Sequence, residues 1–173
     1  MAKKKAEEKL NLDSILFKCR DILRQARNSG SFFEKRDMML TLVFLRFIGE
    51  KFEDGVENLR KSLIEEGLDP DDEAIKAAFL DDPTFPDGTN PLPIEARWST
   101  IINTPAPGLN VALDNALHSI ATSSEQLKGC FVEGTFTGRN LAPNDIKKVV
   151  DEVNKISPKA FGEEKDLIGR VYE

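Results

Sequence analysis

The segment from Met38 to Ile48 constrains this chain more than any other: nine of its eleven residues are hydrophobic, with only Thr41 and Arg46 interrupting. Set inside a longer helical pattern, such a run must be buried on most sides, because a helix apolar all round has no face to give to water. It is about half the length that a bilayer requires, so other helices of the protein have to cover it. The expectation is a central helix from Glu34 to Ile64, with Gly49 and Gly55 as the points where it can bend or break. A strand over 38–48 is disfavoured by the helical flanks and by the absence of turn signals.

The neighbouring segments carry the same period. Leu12, Ile15, Leu16, Cys19, Ile22, Leu23 and Ala26 recur at three- and four-residue steps and mark one stripe of a first helix. Asn11 or Asp13 can cap its start, and Asn28-Ser29-Gly30 can stop it. Asp69-Pro70-Asp71-Asp72 reads as a capping side chain followed by proline at the first helical position, opening a short helix through Ala74, Ile75, Ala78 and Phe79. Pro83, Pro86, Pro91 and Pro93 then enforce an irregular crossing. Trp98, Ile101 and Ile102 begin a new helical piece. Leu109, Ala112, Leu113, Ala116, Leu117 and Ile120 write another stripe, followed by a short turn around Leu127. Residues 130–142, with Phe131, Gly134, Phe136 and Gly138, read as a loop or a small hairpin. Pro143 starts the last full helix, with the stripe Ile146, Val149, Val150, Val153 and Ile156. The fold class that follows is all-α, a bundle of five or six helices with a proline-rich connecting loop.

Length and charge bound the function. A chain of 173 residues, 40% hydrophobic and 31% charged, suits one globular domain and not a disordered or membrane protein. The net charge of -6 does not advertise nucleic-acid binding in bulk, but it is unevenly spread. Residues 1–30 hold 8 basic and 4 acidic groups, whereas residues 61–90 hold 2 and 9. The two ends of the N-terminal half should face different partners, or simply be two solvated faces. The charged N-terminus has no apolar run behind it and is no secretory signal, so a cytoplasmic location is expected.

Familiar reaction chemistry is missing. Cys19 and Cys130 lie far apart and His118 is the sole histidine, so no metal cluster is expected, and both cysteines read as reduced core residues. No phosphate-cradling loop and no Gly-x-Ser-x-Gly appears. His118 sits in a helix between Leu117 and Ile120, with no nucleophile signature around it, and reads as structural. The pairs Asp71-Asp72 and Asp81-Asp82 flank helix ends, where acids cap and solvate. Trp98, the one tryptophan, reads as a structural anchor that packs the proline strap onto the bundle.

Several segments, taken in order, carry a resemblance. Leu40 to Glu53, LTLVFLRFIGEKFE, resembles the hallmark central helix of the N-terminal domain of type I restriction-modification M subunits. Arg97-Trp98-Ser99-Thr100-Ile101 resembles that family's Arg-Trp element, and Leu113-Asp114-Asn115-Ala116 its following helix. Leu127-Lys128-Gly129-Cys130-Phe131 is similar to its Leu-Lys-Gly-x-Phe turn. Asp166 to Glu173 looks like the junction helix into a methyltransferase domain. On this reading residues 1–10 are a flexible charged tail, 11–162 the helical domain and 163–173 the start of that junction, so the chain reads as the N-terminal part of something longer.

The resemblance implies a DNA adenine-N6 methyltransferase subunit that uses S-adenosylmethionine. It implies a complex with a specificity (S) subunit, a second M subunit and, for cleavage, a restriction (R) subunit. The family's catalytic Asn-Pro-Pro-aromatic signature and glycine-rich cofactor loop lie downstream; Asn90-Pro91 is followed here by Leu92, so no catalytic or cofactor residue carries over. The helical domain is expected to close over double-stranded DNA and touch partner subunits. A clamp on the backbone would lower the cost of flipping the target adenine from the duplex. Its candidate phosphate contacts are Lys18, Arg20, Arg24 and Arg27 on the first helix, with Lys35 and Arg36 at the start of the second. The competing reading is a stand-alone helical protein-protein interaction module using the acidic stretch Glu65 to Asp87 and the apolar central helix.

Overall fold

The computed structural model describes residues 2–26, 32–81, 83, 92–123, 134–138 and 142–156, and of residues 2–12, 32 and 33 the backbone only. Regular structure among them is helical throughout: α1 (Ala2–Gln25), α2 (Phe32–Glu65), α3 (Glu73–Ile75), α4 (Trp98–Ile102), α5 (Leu109–Ser123) and α6 (Pro143–Asn154). The chain is all-α, as its periodicity requires. None of the described helices is long and apolar enough to cross a membrane.

α1 begins well before Asn11 and Asp13, because alanine, lysine, glutamate and leucine are strong helix formers and nothing in residues 2–10 opposes them. Ile15, Leu16, Cys19 and Leu23 turn the predicted stripe into the core. α2 runs unbroken for 34 residues, straight through Gly49 and Gly55. Gly49 is there for another reason. A Cβ on it would lie 2.6 Å from Trp98 Cβ and 3.1 Å from Trp98 N, so its missing side chain lets α4 cross against α2. The helix ends where Gly67, at φ +80°, takes the left-handed conformation. Leu68 N–H then donates to Leu63 O and Gly67 N–H to Ile64 O, the paired bonds of a Schellman motif.

The short helix that follows is capped one turn later than its sequence suggested. Asp72, not Asp69, accepts from the N–H groups of Ala74 and Ile75. Asp69 is already engaged in a turn of its own, accepting from Asp71 N–H at 2.9 Å, which leaves Pro70 outside the helix. α3 passes directly into a π-helical turn over Lys76–Leu80, closed by Asp81 N–H to Lys76 O. Arg60 ties this region back to α2 through Asp71 at 2.8 Å, and that guanidinium holds the Asp71 carboxyl below its usual range.

Of the proline-rich crossing only Pro83, Leu92 and Pro93 are described. Leu92 O accepts from Arg97 Nε, and Pro93 leads into a 3-10 turn, Ile94–Ala96, that delivers Trp98 to the core. The turn at Leu127 and everything after Ile156 lie outside the described residues, as do Arg27 and Cys130.

Among the described elements α6, rather than α2, is enclosed on the most sides: it packs against α1, α2, α4 and α5. The reason is length. Its 12 residues fit within the bundle, whereas α2, at about 51 Å, overhangs it. All five residues of the predicted stripe are buried, Ile146, Val149, Val150 and Val153 on α6 and Ile156 just past its end, each contributing roughly 1.5–3 kcal/mol of apolar burial. Met38, Met39, Leu42, Val43 and Leu45 of α2 and Leu109, Leu113, Ala116, Leu117 and Ile120 of α5 complete the core.

Between α5 and α6, residues 134–138 form a tight turn, with Gly138 N–H donating to Gly134 O at 2.7 Å. Phe136 at its centre is fully buried. Asp114 of α5 holds it there, accepting from the N–H groups of Phe136 and Thr137 and from the Thr137 hydroxyl.

Candidate nucleic-acid interface

Nearly every candidate cation comes from the two N-terminal helices. With its core stripe at Ile15, Leu16, Cys19 and Leu23, α1 must turn Lys18, Arg20 and Arg24 outward, and all three are exposed. They do not form one row. At about 100° per residue, Arg20 and Arg24 stand about 40° apart on one flank, while Lys18 lies about 160° from Arg20 on the opposite side of the stripe. The Arg20–Arg24 flank also carries Phe17, 68% exposed, and two acids, Asp13 and Asp21.

Arg24, whose side chain is 76% exposed, donates to Asp21, which also accepts from Gln25 Nε2 at 3.1 Å. As a cation in the last turn of α1, Arg24 complements the negative end of the helix dipole. Lys35 and Arg36 occupy the first turns of α2 and are half-buried. There they add to the positive end of the helix dipole, with the acids Glu34 and Asp37 on either side of them. Arg27 lies outside the described residues.

One more cation of the region, Arg46, is committed elsewhere. It is buried to 7% exposure, pairs with Glu50 at 2.6 Å, and sets its guanidinium 5.8 Å from the centre of the Trp98 ring. The Trp98 indole N–H donates to Asn154 Oδ1 at 2.8 Å, tying α4 to α6. Beside it, the Arg97 guanidinium lies 4.7 Å from the centre of the Phe52 ring. Lys147 of α6 donates to Ile102 O at 2.6 Å and closes the end of α4. These polar roles were not visible in the sequence, where Arg46 read only as an interruption. The one available signal was its spacing of four from Glu50.

Among the described residues, the titratable groups with familiar chemistry are not gathered into a reacting centre. His118 stands on the exposed face of α5. Cys19 is a buried free thiol, pushed up to about 12 by burial and, secondarily, by the Glu152 carboxylate. Among the described residues, no three His, Cys, Asp or Glu side chains could together hold a metal ion.

Fold and surface thus define an all-helical domain with charged outer flanks and a polar knot in which the buried Arg46 and Trp98 meet Glu50 and Asn154. The chain belongs to the HsdM N-terminal domain family, whose model matches residues 12–153. It is therefore an N-terminal domain of the M, or methyltransferase, subunit of type I restriction-modification systems. No curated protein and no solved structure matches it. Two of the segments that carried the resemblance meet in space: Gly49 and Arg46 of the central helix lie against Trp98 of the Arg-Trp element. They hold the fold.

Proposed function

We propose that this domain clamps the DNA backbone for a site-specific adenine-N6 methyltransferase and contacts the other subunits of the complex, with no catalysis of its own. The observation that carries the reading is the pair Arg20 and Arg24, exposed on one flank of α1 in a chain that belongs to the M-subunit family. Lys35 and Arg36, at the positive end of α2, extend the cationic surface, and Lys18 and Arg27 are further candidates. Asp13 and Asp21 on the same flank favour a weak, sequence-independent hold over tight binding, which suits a domain that must let the duplex go. Base recognition then falls to the S subunit. S-adenosylmethionine fits none of these residues, since the chain has no glycine-rich cofactor loop, and it belongs to the methyltransferase domain of the parent subunit.

The test uses the assembled methyltransferase with Arg24, Arg27, Lys35 and Arg36 changed to glutamine. Affinity for a nonspecific duplex should fall, affinity for the cognate site should fall by the same factor, and the salt slope should flatten by about one per phosphate contact removed. Unchanged affinity with an unchanged slope refutes the clamp.

A further inference from the structure

At the far end of α2 the molecule presents a surface of the opposite character. Of the eight residues in α3 and the π-helical turn, six are apolar: Ala74, Ile75, Ala77, Ala78, Phe79 and Leu80. A helical segment of that composition belongs inside a protein, yet none of the eight is buried. Phe79 is 42% exposed, and Ile64, at the end of α2, is 60% exposed. Around this apolar turn the charge is predominantly negative. Residues 65–81 hold seven acids and a single base, Lys76, and all seven carboxylates are exposed. The turn is nonetheless built to stand where it does, by the Asp72 cap, the Schellman motif at Gly67 and the Arg60–Asp71 bridge.

We infer that this acidic, apolar end of α2 and α3 is a docking surface for a lysine- or arginine-rich amphipathic segment of a partner protein. Charge complementarity selects the occupant. Seven carboxylates repel a phosphate backbone, and two copies of this end repel each other. A basic segment with apolar anchors satisfies both features at once, covering Phe79 and Ile64 while its cations meet the acidic rim. The inference deepens the subunit-contact half of the proposed function and rests on it. It places that contact about 45 Å from Lys35, at the other end of α2.

The experiment follows hydrogen exchange in the full chain, alone and assembled with its S and R subunits, together with binding of a fluorescent 16-residue lysine-leucine amphipathic helix as a probe of defined chemistry. Assembly should slow exchange across residues 73–81, and the probe should bind the chain. Phe79→Glu should weaken the probe at least tenfold. The triple change Glu66→Gln, Glu73→Gln and Asp81→Asn should weaken it at least fivefold and flatten its salt dependence. Neither should alter the salt slope for duplex DNA, whereas Arg24→Gln with Lys35→Gln should leave probe binding unchanged, so that failure of the docking surface and failure of the clamp are told apart. Unslowed exchange at 73–81 in the assembled complex overturns the inference. So does equal binding of a leucine-free peptide, or a dimer of the chain that Phe79→Glu dissolves.

Discussion

Replacing Gly49 by alanine tests the packing logic of the whole domain, because two principles disagree about its sign. Helix propensity alone makes Gly49→Ala stabilising by about 1 kcal/mol, as for any glycine inside a long helix. The structure says otherwise. The new methyl would sit 2.6 Å from Trp98 Cβ and 3.1 Å from its backbone nitrogen, atoms that cannot swing aside as the tip of a flexible chain could. Nor can Trp98 retreat cheaply, since its ring is buried and its indole N–H is bonded to Asn154. Overpacking a core contact costs about 1–3 kcal/mol, and this contact belongs at the upper end of that range. Subtracting the gain in propensity leaves a net loss of about 2 kcal/mol. In a chain of this size that lowers the melting temperature by about 4–8 °C and the urea midpoint by about 1 M. Circular dichroism at the helical minimum reads both. A variant that melts at or above the parent protein would refute the close-crossing account of Gly49.

Three further outcomes follow from the same contacts. Trp98→Phe should destabilise by about 2 kcal/mol and Asn154→Ala by about 1 kcal/mol, and the double variant should cost less than their sum because both remove one hydrogen bond; additive urea midpoints would deny the bond a role. Asp114→Ala should free the 134–138 turn, costing about 1–3 kcal/mol and speeding amide exchange at Phe136 and Thr137 ahead of the α5 amides. Uniform speeding across the domain would show that the turn is not held locally. Cys19, its thiol raised from 9.0 to about 12 in the folded chain, should resist alkylation at pH 8 until the protein unfolds. Because the unfolded chain loses that proton first, stability should decline as pH climbs from 9.0 towards about 12, with a shallower decline in Cys19→Ala.

The parts of this fold that were legible in the sequence are those in which a face is buried along its whole length. The stripes of α5 and α6 could be read residue by residue because a period of 3.6 has only one face to bury. Contacts between distant segments were not legible in that way. Gly49 read as a place to bend or break because its partner, Trp98, stands 49 residues further on; the Asp114 hold on Phe136 spans 22 residues. Asp69 and Asp72 are equally good caps by type, and only the competing turn at Asp71 decides between them. For the candidate interface, residue type found the exposed Arg20 and Arg24. Helical geometry separated Lys18 from them, and the restraint of Arg24 by Asp21 needed coordinates.

The continuity of α2 has a mechanical meaning. Its crossing with Trp98 falls at Gly49, almost at midspan, leaving arms of about 21 Å to Lys35 and about 24 Å to Glu65. The two arms are not held alike: the one towards Lys35 is anchored by the buried Met38, Met39, Leu42, Val43 and Leu45, whereas the one towards Glu65 buries only Phe52 and Leu63. The helix is a beam built into the core at one end and cantilevered past Gly49 at the other, so a load on its free end is borne where one missing methyl group lets Trp98 sit against it.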